Sequence, residues 1–133
     1  MAKIAGKYEY QNDDGNFEQY LRATGLSEEH IEIGKQLRPT LEFSKSGDEY
    51  TMKITSEVIN KDVKFKLNEE VNEKTPSGKN IKATYTLNGD RLVQKQTLES
   101  GFTATIDHEF RDDGLTLTYT WNGGKAVRHY KRV

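Results

Sequence analysis

The spacing of hydrophobic positions changes at Pro39. From Ile4 to Tyr10 the chain is rich in strand-formers and stops at the turn cluster Gln11-Asn12-Asp13-Asp14-Gly15. Phe17, Tyr20, Leu21 and Thr24 then recur at helical spacing before Gly25, which predicts a short amphipathic helix. The Asn16 side chain is placed to accept from the free backbone N–H groups at its start. Ser27 marks the N-cap of a second helix, with Glu28 and Glu29 in the first turn, where the helix dipole favours negative charge. That helix runs to about Leu37, because Pro39 forces the residue before it out of the α region. Two helices joined so tightly form one helix-turn-helix unit, about residues 16–37.

After Pro39 the period becomes alternating. Turn-formers recur at Ser46-Gly47-Asp48, Asn60-Lys61-Asp62, Pro76-Ser77-Gly78, Asn88-Gly89-Asp90, Ser100-Gly101, Asp112-Asp113-Gly114 and Asn122-Gly123-Gly124, with a further break near Asn68. Short strands joined this way make an antiparallel meander of about ten strands, more than a small twisted sheet leaves open. The expected fold is therefore all-β: a closed or nearly closed up-and-down barrel capped by the helix-turn-helix, one domain over residues 1–133.

Alternation also orients the side chains. Val63, Phe65 and Leu67 alternate with Lys64 and Lys66, and Leu115, Leu117, Tyr119 and Trp121 alternate with Thr116, Thr118 and Thr120. Ala104, Ile106, His108 and Phe110 share one face, which makes His108 an inward polar residue; a lone histidine among apolar neighbours is more often a satisfied core residue than a functional one. On the last strand Ala126, Arg128 and Tyr130 oppose Val127, His129 and Lys131, and this pattern does not settle which face is inside.

Only 33% of the residues are hydrophobic and 31% are charged, which suits a shell around a cavity and equally a small domain with a charged surface. Seven Tyr, five Phe and one Trp argue against disorder. A net charge of −1 without basic clustering excludes the electrostatic footprint of a nucleic-acid binder. The absence of cysteine removes disulfides and thiolate nucleophiles. The start lacks the apolar stretch of a signal peptide, and nothing approaches the ~20 apolar residues of a membrane span, so a cytoplasmic location is expected. His30, His108 and His129 lack metal-ligand spacing, and Asp107 and His108 point to opposite faces of a strand. No metal, cofactor or catalytic residue is expected.

The order and spacing of Gly6-Lys7-Tyr8, Asn16-Phe17-Glu18-Gln19-Tyr20-Leu21, Arg38-Pro39-Thr40, Val63-Lys64-Phe65-Lys66-Leu67, Leu87-Asn88-Gly89-Asp90-Arg91-Leu92 and Arg128-His129-Tyr130-Lys131 resemble the intracellular lipid-binding proteins, which include the fatty-acid-binding and cellular retinoid-binding proteins. The resemblance spans essentially the whole chain. It implies a ten-stranded barrel whose partly water-filled cavity holds one lipid, and a monomeric, non-catalytic carrier of a long-chain fatty acid. A retinoid or other isoprenoid acid is the alternative ligand. In the family an arginine and a tyrosine two residues apart on the last strand bind the ligand carboxylate, and these match Arg128 and Tyr130. His108 stands where many relatives have a second arginine; its reference pKa of about 6.5 suggests that a bound carboxylate favours its protonated form and couples affinity to pH. The resemblance further implies a portal at Val58 and Ser77 and cavity-lining positions at Phe17, Tyr20, Leu21, Pro39, Gln96, Ile106, Leu117 and Tyr119. A different class of role is a lid that touches membranes or partner proteins, with Arg22 and Lys35 as candidate contacts.

Overall fold

Period-two alternation becomes strand along most of the chain in a computed structural model that describes residues 4–74 and 80–133. The order is β1 (Gly6–Asp13), α1 (Phe17–Ala23), α2 (Glu28–Lys35), β2 (Thr40–Ser46), β3 (Glu49–Thr55), β4 (Asn60–Lys66), β5 (Glu70–Lys74), β6 (Asn80–Asn88), β7 (Arg91–Leu98), β8 (Thr103–Phe110), β9 (Gly114–Trp121) and β10 (Gly124–Arg132). The strands form one antiparallel sheet in the order β4-β3-β2-β1-β10-β9-β8-β7-β6-β5. Pairing of β1 with β10 curls the meander into a nearly closed barrel, as the alternation and turn spacing imply.

The seam of the barrel lies between β4 and β5, the two ends of the sheet. Side chains close what the backbone ladder does not. Phe65 on β4 stacks between Tyr50 on β3, at 5.3 Å, and Tyr85 on β6, at 3.9 Å. The Asn68 N–H donates to the Tyr85 carbonyl at 2.8 Å, and Asn68 itself adopts a left-handed φ of 64°, a conformation that asparagine tolerates. Nearer the helices, Lys61 Nζ donates across the seam to the carbonyl of Lys74.

Aromatic packing fixes the lid. Tyr20 of α1 lies 4.7 Å from Tyr119 and 5.6 Å from Trp121, ring to ring, and Phe17 lies 5.2 Å from Tyr119. Ile31 of α2 is fully buried. At the opposite end Tyr8, Phe43 and Phe110 form an edge-to-face cluster. Between this floor and the lid the barrel is hollow.

Three local expectations are corrected. Asn16 does not cap α1 with its side chain: its backbone is already helical, and its carboxamide donates instead to Asp14 Oδ2 at 3.2 Å. The second helix ends at Lys35 rather than Leu37, because Leu37 N–H bonds back to Gly34 at 3.2 Å in a tightened last turn. Asn60-Lys61-Asp62 is not a turn but the start of β4. The chain reverses one step earlier, where Ser56 Oγ accepts from the N–H groups of Val58 and Ile59 and the Ser56 N–H donates to the Ile59 carbonyl at 2.7 Å. Ser27 does cap α2, accepting from the His30 N–H. The turn cluster Pro76-Ser77-Gly78 lies outside the described residues.

Phe65→Ala removes both faces of the stack that closes the seam. It should destabilise the protein by about 3–5 kcal/mol in urea denaturation.

Candidate functional site

Arg128 faces inward from β10 with a side chain only 3% exposed. Its neighbours on β1 are positioned by an irregularity. The register with β10 shifts between Tyr10 and Asn12, so one extra residue inverts the alternation and both Tyr10 and Asp13 face the arginine. The guanidinium lies 4.6 Å over the Tyr10 ring and 4.2 Å over the Phe17 ring. One of its terminal N–H groups donates to the Leu37 carbonyl at 2.7 Å, just past the end of α2, where the helix dipole favours a cation. Asp13 Oδ2 stands 4.0 Å from Nε, which has no hydrogen-bond partner among the described residues. The Tyr10 hydroxyl donates to the same carboxylate. That bond, the Gly15 N–H and the charges of Arg128 and Arg38 hold the Asp13 pKa below the ordinary carboxylate value.

Tyr130 follows two residues later on the same face and is 2% exposed. His108 lies in the same row as Arg128: both pair with Leu117, from opposite sides, so their backbones are two strand spacings, about 10 Å, apart. The row borders a cavity of about 480 Å³. Leu41, Met52, Ile54, Val63 and Ile81 give it mostly apolar walls. Gln94 and Gln96 interrupt them; Gln94 Nε2 donates to Gln96 Oε1 at 3.4 Å, and Gln96 donates to the Tyr20 hydroxyl.

Arg128, Tyr130 and His108 all line this cavity, as do Phe17, Tyr20, Leu21, Pro39, Val58, Gln96, Ile106, Leu117 and Tyr119. Val58 is 64% exposed and marks the mouth. Ser77 lies outside the described residues. Sequence reasoning missed Gln94, Lys61 and Glu73 on the wall. Lys61 continues the alternation of Val63, Phe65 and Leu67 by one step, and Glu73 continues that of Val71, so the signal was present. Asp107, beside His108 in sequence, points outward and pairs with Arg91 at 2.8 Å.

Residues 1–116 match the model of the lipocalin / cytosolic fatty-acid binding protein family. The chain belongs to this family. A fatty acid-binding protein of Tyrophagus putrescentiae is 38% identical over 133 residues, covering 99% of each chain. Fatty acid-binding protein 12 of Mus musculus is 37% identical over 118 residues, 89% of each. Among solved structures, a Schistosoma mansoni fatty acid binding protein in complex with arachidonic acid superposes with a TM-score of 0.93 at 32% identity, covering 100% of this chain and 98% of that one.

Burial drives the His108 pKa down to about 4, against partial support from the Leu92 and Ile106 carbonyls and Asp107. The ring packs near Phe43 and Phe110, and its Nδ1 lies 2.9 Å from the Leu92 carbonyl, which fixes the proton on Nδ1 and leaves Nε2 an acceptor. His108 is therefore neutral near pH 7, so any coupling of affinity to pH through this residue requires it to take up a proton as the ligand binds. The unfolded chain takes up a proton near pH 6.5, whereas the folded chain does so only near 4. Stability from this group is present above pH 6.5 and is lost as pH falls through that window. His108→Gln should flatten the fall in unfolding free energy between pH 6.5 and 4 by about 3 kcal/mol, measured by denaturant titration at each pH.

Proposed function

We propose that the protein is a monomeric cytoplasmic carrier of a long-chain fatty acid, and that residues 1–133 act as one lipid-binding domain. The acyl chain lies in the cavity and the carboxylate meets Arg128 and Tyr130. The observation that carries this reading is a guanidinium buried on the wall of a mostly apolar cavity of about 480 Å³, with an Nε unpaired among the described residues. Guanidinium donates two parallel hydrogen bonds to a carboxylate, and the Tyr130 phenol adds a third. His108 offers its neutral Nε2 as an acceptor at the same level of the barrel and supplies no second positive charge. Burial of the chain contributes roughly 0.8 kcal/mol per methylene before the cost of ordering it. The fatty acid-binding relatives and the arachidonic acid complex of the Schistosoma mansoni protein support the same ligand class. The role is non-catalytic: no nucleophile and base face one another in this reading.

Displacement of a fluorescent fatty-acid probe tests it. Wild-type protein should bind oleate, with all-trans-retinoic acid, the alternative ligand, as competitor. Arg128→Gln should weaken oleate by about 10- to 100-fold, the loss expected for one hydrogen bond to a charged group, with an unchanged circular dichroism spectrum. Equal oleate affinity of variant and wild type would overturn the carboxylate assignment, and tighter binding of retinoic acid than of oleate would overturn the ligand class.

Lid contact with membranes complements this role. Ile33 on α2 and Val58 on the β3–β4 turn line the cavity mouth yet remain 48% and 64% exposed. Arg22 and Lys35 are already engaged by Glu18, Glu28 and Glu32, which makes the apolar pair the better contact. Ile33→Ser/Val58→Ser should slow fatty-acid transfer to phosphatidylcholine vesicles in stopped-flow measurements by a larger factor than it weakens equilibrium affinity.

A further inference from the structure

Lys61 and Glu73 are charged, border the cavity, and take no part in the carboxylate grip proposed above. Lys61 is the second residue of β4 and Glu73 the fourth of β5. These are the end strands of a sheet with β10 near its middle, so curling the sheet into a barrel sets the pair on the wall facing Arg128, close to the lid. Both are partly buried.

Their hydrogen bonds are only partly used. Lys61 Nζ donates one N–H to the Lys74 carbonyl, and its other two take no partner among the described residues. Glu73 Oε2 accepts from the Tyr85 hydroxyl at 2.7 Å, and Oε1 has no partner among the described residues. Burial pushes the Lys61 pKa down and the Glu73 pKa up, each offset in part by the other's charge and, for Glu73, by the Tyr85 hydrogen bond. Fold stability alone does not call for these two charges, since buried charged groups often yield to apolar residues at no loss.

We infer that Lys61 and Glu73 form a second polar subsite, which binds a hydroxyl at the far end of an acid held by Arg128. The inference rests on the carrier reading above. A hydroxyl both accepts and donates, so it takes a hydrogen bond from Lys61 Nζ and gives one to Glu73 Oε1. A terminal methyl satisfies neither group. A second carboxylate meets Lys61 but is repelled by Glu73. The subsite thus ranks ω-hydroxy acids above unsubstituted acids, and unsubstituted acids above diacids.

Calorimetric titration with palmitic acid, ω-hydroxypalmitic acid and the corresponding α,ω-diacid tests this ranking. Wild-type protein should bind the hydroxy acid about tenfold more tightly than palmitate, and the diacid more weakly than either. Lys61→Met/Glu73→Gln should abolish the hydroxyl preference, so that ω-hydroxypalmitic acid binds no more tightly than palmitate. If the double variant fails to fold, Lys61→Met alone carries the same comparison, because it keeps the apolar stem and removes the donor. Palmitate bound with no hydroxyl preference, or a preference retained in the variant, overturns the subsite and leaves the carrier reading standing. Binding of none of the three acids overturns both.

Discussion

A buried guanidinium that the protein only half satisfies is the constraint around which the interior is arranged. Taking Arg128 out of water costs several kcal/mol unless charge and hydrogen bonds replace the lost hydration. The replacement here is incomplete: one carbonyl at 2.7 Å, a carboxylate no nearer than 4.0 Å, and the faces of two aromatic rings. These partners come from three separate parts of the fold. Leu37 follows α2, Phe17 opens α1, and Tyr10 and Asp13 belong to β1, so the arginine binds the lid to the barrel as well as marking the cavity wall. Apolar packing at this position would make a more stable barrel. Stability of the strands therefore does not by itself account for the charge, which fits the proposed role of meeting a ligand carboxylate.

A hollow barrel cannot draw its stability from its centre. The aromatic floor of Tyr8, Phe43 and Phe110 and the lid contacts of Phe17 and Tyr20 carry the packing, and the strands between them are held chiefly by their ladders. The seam between β4 and β5 lacks even that. Phe65, stacked on Tyr50 and Tyr85, closes its lower part, and the reach of Lys61 to Lys74 bridges its upper part. Local opening is easiest where backbone hydrogen bonds are fewest. The seam adjoins Val58 at the cavity mouth, so the least tightly held wall lies beside the apparent route inward.

The sequence made the barrel legible because each strand has one face against the interior and one toward water, and period-two alternation records that difference directly. It was less explicit at β10. Val127 and His129 are themselves partly buried, so both faces of that strand resemble each other, and pattern alone left Arg128 undecided. The β1 irregularity left no mark in composition: one additional polar residue in a polar stretch looks the same whether or not it inverts the alternation, and the approach of Tyr10 and Asp13 to Arg128 was hidden. Lys61 was lost for a different reason. Asn60-Lys61-Asp62 has turn composition, but Ser56 satisfies the reversal locally, which frees those three residues to begin a strand and directs Lys61 inward. Asn16 shows the converse, a residue type suited to capping whose side chain Asp14 claims first.

The charges near the grip limit what it can hold. Arg38 and Arg128 lie over the Tyr10 ring at 4.7 and 4.6 Å, and Asp13 is hydrogen-bonded to the hydroxyl of that ring. Two cations against one anion leave a single positive unit. His108 adds no second positive charge, because burial favours its uncharged ring and outweighs the opposing hydrogen bond to the Leu92 carbonyl. One carboxylate balances this end of the cavity; a dianionic headgroup would leave an uncompensated charge among Phe17, Leu117 and Tyr119. Arg38 is solvent-exposed and its share is screened, so Arg128 sets most of the local field, and the acid proposed above needs only one negative charge to neutralise it.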